Sequence, residues 1–411
     1  MSEHQNARIV KPSKSCRPGT VLVKKHDRLV CRCPRQFSRY SCFAPLNRDK
    51  RWGNVYAACP GRRTLETSLC RIGWVEGVAA LMVVAYHIGI FLKFPSGITV
   101  HGNIAVDFFL CLSGFVLAFA HERRLRENGG ELARFLMSRV VRLWPSVLAG
   151  SVAALLVALG MAGGPGASSA YRAFALSLVV LPRLEGQNLV WFNGVYWSLF
   201  AEILVNLLWA VSVKALGNRG LITIAFVLSV AITWIAIDHN SVHFFYQSVD
   251  MIVPTTVRAL ASFCMGVVAY RIYEARRVKA DVAPVILIAA LLFPMIVPGV
   301  SWFGIPLSLF YILCANPMIV LLGALGQREQ SRVLTWLGNI SFPLYATHLP
   351  VVMLLSRLMA GQPLAERLIA AVGIVGAALI VAEVVRRFVE KPALAYLGAR
   401  LLVPRRAVSV G

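Results

Sequence analysis

The chain has 411 residues, 57% of them hydrophobic and 15% charged, with a mean hydropathy of +0.66. Soluble domains carry about 25% charged residues, so this composition excludes a soluble globular protein and indicates an integral membrane protein. The net charge of +23 comes with no nucleic-acid recognition motif. It reads as Lys and Arg held on one side of a bilayer, with no nucleic-acid partner.

Residues 1–71 contain sixteen Lys/Arg against the four acids Glu3, Asp27, Asp49 and Glu66, and no sustained apolar period. They are expected to form a basic, disordered cytoplasmic tail that lies on anionic lipid, or to arise from an upstream start-site artefact. Six cysteines fall in this tail, and Cys31-Arg32-Cys33 lacks a second pair at zinc-binding distance, so no metal site is expected. Cys111, Cys264 and Cys314 fall in apolar segments, where cysteine packs as a small hydrophobe.

Apolar runs near the ~20 residues needed to cross a bilayer then follow. Backbone in lipid must satisfy its own hydrogen bonds, and no alternating pattern suggests a barrel, so the runs read as helices. Spans are predicted at 72–92, 104–120, 143–161, 197–214, 221–237, 257–273, 282–297, 302–325, 333–355 and 368–388. The basic loop 121–142 is placed inside and 162–196 is an outer or re-entrant segment. This gives an all-α bundle of about ten transmembrane helices with both termini cytoplasmic, in the inner (plasma) membrane of a bacterial cell. The domain limits are 1–71, 72–395 and a short basic tail at 396–411.

Ionisable groups in hydrocarbon are costly and are kept for function or for joining helices. His87, Asp107, Glu202 and His348 all lie in the outer halves of their predicted spans, within roughly two helical turns of the outer face. Consecutive antiparallel spans are usually neighbours, which would bring His87 beside Asp107 as a positioned general base. A purely structural hydrogen-bond network is the competing reading. Arg139 and Arg142 are three residues apart and share a helix face at the inner end of the third span, where paired guanidiniums suit phosphate groups or simply anchor the helix. Glu76 precedes His87 by eleven residues, on the same helix face and about 16 Å deeper, in reach of an inner-loop arginine. Trp191, Trp197, Phe244, Phe245 and Tyr246 fall in outer regions, where they would stack on sugar rings or belong to an interface belt.

Five elements occur in order: Glu76 to His87 ending Val84-Ala85-Tyr86-His87; Val106-Asp107-Phe108-Phe109 with Ser113-Gly114-Phe115; Arg139-x-x-Arg142-Leu143-x-Pro145; Trp197-Ser198-Leu199-x-x-Glu202; and Ile340-Ser341-x-x-Leu344-Tyr345-x-x-His348-x-Pro350. Together they resemble the membrane-bound acyltransferase 3 family, which O-acylates surface carbohydrates and other extracytoplasmic molecules. The resemblance covers about residues 72–395, including Val389-Glu390-Lys391-Pro392. It implies His87 as the catalytic histidine, Asp107 and Glu202 as further catalytic positions, and Arg139 with Arg142 as the pair associated with the acyl donor. Ser113, Tyr345, His348 and Glu76 complete the substrate-binding set. The implied donor is acyl-CoA, most often acetyl-CoA, with no permanently bound cofactor; the implied acceptor is a glycan or lipid-linked sugar. One departure stands out: the family carries arginine where this chain has Glu76. Either an inner-loop arginine compensates, or donor handling differs, or this member is weakened or inactive.

These residues suggest a donor held at the inner face by Arg139 and Arg142, with its arm reaching up to His87, whose imidazole is oriented by Asp107 or Glu202. A proton-coupled transporter or flippase, or a non-catalytic partner in polysaccharide export, would use buried His, Asp and Glu differently.

Overall fold

The computed structural model describes residues 21–25, 28–32, 63–95, 102–127, 131–161, 167–239, 241–242, 244–276, 282–297, 301–302, 305–326 and 331–402. The chain divides into two units, Met1–Asn54 with Arg405–Gly411, and Val55–Pro404. In the first, strands β1 (Val21–Lys25) and β2 (Arg28–Arg32) form an antiparallel hairpin, with Leu22 opposite Cys31. Most of the tail expected to be disordered, and residues 403–411, lie outside the described residues.

The second unit is a helical bundle. Its helices are α1 (Arg63–Phe91), α2 (Ile104–Glu127), α3 (Glu131–Met161), α4 (Ala167–Leu178), α5 (Tyr196–Ser212), α6 (Asn218–Asp238), α7 (Ile252–Arg276) and α8 (Pro284–Ile296). A short α9 (Leu307–Phe310) passes through a π-helical segment, Tyr311–Ala315, into α10 (Asn316–Leu325). Then come α11 (Arg332–Arg357) and α12 (Leu364–Val385), and α13 (Lys391–Leu397) lies between two further π-helical segments, Arg386–Glu390 and Gly398–Leu402. These helices overlap the predicted spans: α1 begins before residue 72, the expected loop 121–142 is largely the ends of α2 and α3, and the predicted span 302–325 opens on the β5–β6 pairing and becomes helical only from Leu307. Between α4 and α5, strands β3 (Arg183–Glu185) and β4 (Asn188–Val190) turn through Gly186 at φ +61°. This hairpin is held to the segment before α7 by Leu189 N–H to Gln247 O and Val249 N–H to Gln187 O. A two-residue pairing of β5 (Ser301–Trp302) with β6 (Ile305–Pro306) precedes α9.

Among the described residues seven helical stretches are long and apolar enough to cross a membrane: Gly73–Phe91, Ile104–Glu127, Glu131–Gly160, Asn218–Asp238, Ile252–Arg276, Leu307–Leu325 and Leu364–Leu401. The chain is an all-α membrane protein. Helices α5 and α8 have 17 and 13 residues; at 1.5 Å per residue, about 25 and 20 Å, they are shorter than a ~30 Å hydrocarbon core. Helix α11 has the length, at 26 residues. Its apolar character is interrupted by Asn339, Ser341, Tyr345, Thr347 and His348, all but Asn339 of which are buried inside the bundle.

Two helix crossings organise the interior. Helix α1 packs chiefly on α11, and α2 chiefly on α7. Between helices in lipid the driving force is close van der Waals contact, which needs small residues at the crossing. Gly77 of α1 lies against the backbone of Leu337, and Gly338 of α11 against the backbone of Gly73. Gly114 of α2 and Gly266 of α7 likewise abut the carbonyls of Phe263 and Cys111. The main apolar cluster joins α1, α2, α8, α10, α11 and α12; a second joins α2, α5 and α7.

A side chain at Gly266 would overlap the Cys111 carbonyl, whereas nothing lies within 4 Å of a Cβ at Gly160. Gly266→Leu should therefore destabilise the protein by about 1–3 kcal/mol or more, seen as a lower melting temperature and a loss of the monodisperse peak in detergent, while Gly160→Leu should match the parent chain.

Candidate active site

The α1–α11 crossing sets the chemistry above it. His87, on the same face of α1 as Glu76, meets His348 of α11: His348 Nε2 is 3.2 Å from His87 Nδ1, with ring centroids 5.1 Å apart. The backbone assigns the protons. His87 Nδ1 is 2.9 Å from the Val83 carbonyl, and His348 Nδ1 is 2.9 and 3.1 Å from the carbonyls of Tyr345 and Leu344. A carbonyl only accepts, so both Nδ1 atoms carry hydrogen. In the neutral pair the single His87 Nδ1–H is shared between the Val83 carbonyl and His348 Nε2, and the lone pair of His87 lies on Nε2.

This corrects one expectation. The partner of His87 is a histidine, not Asp107 or Glu202. Asp107 is fully buried and engaged elsewhere: Arg258 donates Nε–H to Oδ1 at 2.9 Å and Nη2–H to Oδ2 at 2.6 Å, and Ser262 Oγ donates to Oδ1 at 3.1 Å. Arg258 also donates to the Phe244 carbonyl at 2.8 Å. This forked pair fastens α2 to α7. The neighbour assumption failed because α1 docks on α11, distant in sequence, more than on α2. Arg258 itself, at the start of the predicted span 257–273, is 3% exposed. The signal was available: a carboxylate buried in an apolar span needs a cation, and Arg258 sits just inside another.

Glu202 and Arg139, expected at opposite faces, meet directly. Arg139 Nη2 donates to Glu202 Oε1 at 2.6 Å, and Ser113 Oγ donates to the same oxygen at 3.3 Å. Helix α3 starts at Glu131, so Arg139 is inside the bundle, and the short α5 brings Glu202 to meet it. A guanidinium in apolar surroundings requires a carboxylate.

Both residues line a cavity of about 820 Å3, open mouth included, together with Glu76, Ser113, Arg142, Ser198, Ser341 and Tyr345 and an apolar wall containing Val106, Phe109, Leu112, Leu199 and Phe342. Ser341 Oγ donates to Glu76 Oε2 at 3.2 Å, and Arg142 and Arg139 act electrostatically on the Glu76 carboxylate. Glu76 thus shares its cavity with arginines. With Arg139 paired, Arg142 is the cation of this cavity that makes no ion pair or side-chain hydrogen bond among the described residues, and it is exposed. The lining also includes Tyr345, hydrogen-bonded to Ser198, with its ring centroid 6.0 Å from that of His348. The two histidines are not in the cavity lining; Tyr345 connects them to it. Among the described residues no cluster of three or more His, Cys, Asp or Glu is placed to hold a metal ion.

A match to the acyltransferase 3 family model, described as an acyltransferase domain, runs over residues 71–383 and takes in every one of these side chains except the Glu390 segment. The chain belongs to this family. It is an acyltransferase of the membrane. It is also similar to "Protein 2 in picA locus" of Rhizobium radiobacter, 36% identical over 152 residues that make up 33% of this chain and 78% of that protein. No solved structure matches the chain.

Of the aromatic residues considered for sugar stacking, Phe244 and Tyr246 are buried. Tyr246 packs edge-on against Phe200, 5.2 Å between centroids, and its carbonyl accepts from the Trp191 indole at 2.5 Å. Tyr246 packs into the core of α2, α5 and α7 and Phe244 into that of α6, α7 and α9, so neither ring is open to an acceptor. Phe245 is 40% exposed and lies 6.0 Å from Trp197, so this pair remains available to the acyltransferase for ring contacts.

The Asp107–Arg258 pair predicts a sharp asymmetry. Asp107→Asn leaves a guanidinium buried without its counter-charge and should cost about 3–5 kcal/mol of stability, whereas replacing both partners, Asp107→Asn with Arg258→Met, should recover most of it. Thermal unfolding in detergent of the two variants checks this order.

Proposed function

We propose that the chain moves an acyl group, acetyl in the simplest case, from cytosolic acyl-CoA to a hydroxyl of an extracytoplasmic or lipid-linked carbohydrate. The bundle crosses the inner membrane ten times in this reading, with α5, α8 and α11 completing the seven apolar spans and both termini in the cytosol. The observation that carries it is the cavity that begins at an unpaired arginine and ends one residue from a histidine pair with a free ring lone pair.

Arg142 receives the phosphates of the donor, where a guanidinium offers two parallel hydrogen bonds to an oxyanion. The apolar wall and the hydroxyls of Ser113, Ser198 and Ser341 accommodate the pantetheine arm. His87 Nε2 takes the proton from the acceptor hydroxyl as its oxygen attacks the thioester carbonyl. The carbon–sulfur bond then breaks, and the leaving CoA sulfur takes the proton back from His87. While His87 is an imidazolium, the lone pair of His348 Nε2 holds the Nδ1–H and stabilises the charge. A covalent route, in which Nε2 first takes the acyl group, uses the same lone pair. The roles of Asp107 and Glu202 follow from their partners. Asp107 holds the scaffold through Arg258, and Glu202 neutralises Arg139 beside the donor arm. Glu76 accounts for different donor handling, since it leaves the cavity with one cation fewer than an arginine there would provide. Keeping water out of the bundle protects the thioester.

Incubation of membranes with labelled acyl-CoA and acceptor glycan tests the roles. His87→Ala should lower transfer by at least about 10²-fold with the protein still inserted. His348→Ala removes one hydrogen bond to a charged group and should lower kcat by about 10–100-fold with little change in donor KM. Retained transfer in His87→Ala removes the base from this scheme. Label on His87 in the absence of acceptor selects the covalent route. Mass spectrometry of surface polysaccharide from cells with and without the chain identifies the acceptor, and an unchanged polysaccharide would reject the carbohydrate assignment.

A further inference from the structure

Moving a proton onto His87 and back leaves the thioester oxygen without support. As the acceptor attacks, the carbonyl electron pair moves onto that oxygen, and fixed hydrogen-bond donors aimed at such a charge are usually the largest single contribution to acyl transfer. Among the described residues four hydroxyls line the cavity, those of Ser113, Ser198, Ser341 and Tyr345. Two of them are engaged with carboxylates. Ser113 Oγ donates to Glu202 Oε1 at 3.3 Å, and the hydrogen of Ser341 Oγ is shared between Glu76 Oε2 at 3.2 Å and the Gly338 carbonyl at 2.8 Å.

The other two are placed differently. Ser198 and Tyr345 are hydrogen-bonded to each other, and the Val195 carbonyl lies 2.8 Å from Ser198 Oγ and 3.4 Å from Tyr345 Oη. Two hydrogens are thus shared among three oxygens. When Ser198 donates to Tyr345, the phenol hydrogen has the distant Val195 carbonyl as its acceptor, and a carbonyl oxygen at ordinary hydrogen-bond distance in the cavity would be a better one. Val195 loses little by this exchange, because its carbonyl also accepts the Ser198 amide N–H at 3.3 Å. The phenol ring is 5% exposed and packs edge-on against Phe109, with centroids 5.4 Å apart, and its centroid is 6.0 Å from that of His348, the partner of His87. One buried side chain therefore belongs both to the cavity wall and to the surroundings of the base. Ser198 stands in the first turn of α5, where the helix dipole also favours a negative charge.

We propose that Tyr345 is a catalytic residue that donates its phenolic hydrogen bond to the thioester oxygen, and that Ser198 is a positioning residue acting through it. The acceptor oxygen bonds to the carbonyl carbon, and the displaced electron pair rests on the carbonyl oxygen, which accepts from Tyr345 O–H without taking the proton. The carbonyl re-forms as the carbon–sulfur bond breaks, and sulfur takes the proton held by His87. The proposal rests on the donor reading given above, and its test separates the two.

The probe is acetonyl-CoA, a stable ketone in which a methylene separates sulfur from an isotopically labelled carbonyl. Infrared difference spectra of the full chain in detergent report the hydrogen bond to that carbonyl. Tyr345→Phe keeps the ring and removes the donor. It should bind the probe, raise the carbonyl stretching frequency, and lower kcat for acyl transfer by about 10²-fold with donor KM little changed. Ser198→Ala keeps the phenol and should give a smaller rise in frequency and about a tenfold loss of kcat, and the double variant should match Tyr345→Phe alone. A frequency that Tyr345→Phe leaves in place overturns the proposal even if kcat falls, since that loss would then be structural. Additive losses in the double variant overturn the role of Ser198. Failure of the parent chain to bind acetonyl-CoA rejects the donor reading and the proposal with it, whereas binding with an unmoved frequency rejects the proposal alone.

Discussion

The architecture depends on the close crossing of α1 and α11. Gly77 and Gly338 remove side chains where the two backbones meet, and in a bilayer, where apolar burial gives no advantage to one helix partner over another, that closeness is what holds the helices together. Every feature above the crossing follows from its geometry. The eleven residues from Gly77's neighbour Glu76 to His87 return to the same helix face. The seven residues from Ser341 to His348 do nearly the same on α11. One crossing therefore places Glu76 against Ser341 at one level and His87 against His348 at another.

Charge pairing then divides the polar residues by task. Asp107 with Arg258, and Arg139 with Glu202, are ion pairs that tie α2 to α7 and α3 to α5. A buried charge without its partner is far more costly than a complete pair, so these four groups are committed to each other. The remaining groups, Arg142 and Glu76 in the cavity and the lone pair on His87 Nε2, are those able to meet a substrate. Among the described residues the cavity lining holds one cation without an ion pair, Arg142, and a tyrosine, Tyr345, whose ring neighbours that of His348.

Membrane character, helical class, the positions of the helices and the identity of the motif residues were legible in the sequence. Length and apolarity set where a chain can cross lipid, and these are local properties. His87, Arg142 and His348 stood out because polar groups in apolar runs are costly wherever the run ends up. Pairing was not legible. Asp107 was matched with His87 from the order of the spans, whereas its partner Arg258 lies in a span 151 residues further on. Phe244 and Tyr246, read as outer-region aromatics, are core residues: Tyr246 packs with α2, α5 and α7 beside Leu189 of the hairpin, and Phe244 with α6, α7 and α9.

By itself the sequence determined what each helix could not avoid: which segments must be helical in lipid, and which side chains would need a partner there. Both are consequences of one residue's chemistry or one segment's length. Only the tertiary structure decided which partner each one received. That choice depends on which backbones approach closely, and the glycines that allow it lie 261 residues apart in α1 and α11, as His87 and His348 do. Separation along a chain carries no information about distance across a bundle, so the histidine pair, the cavity and the paired arginines emerge only when the helices are packed.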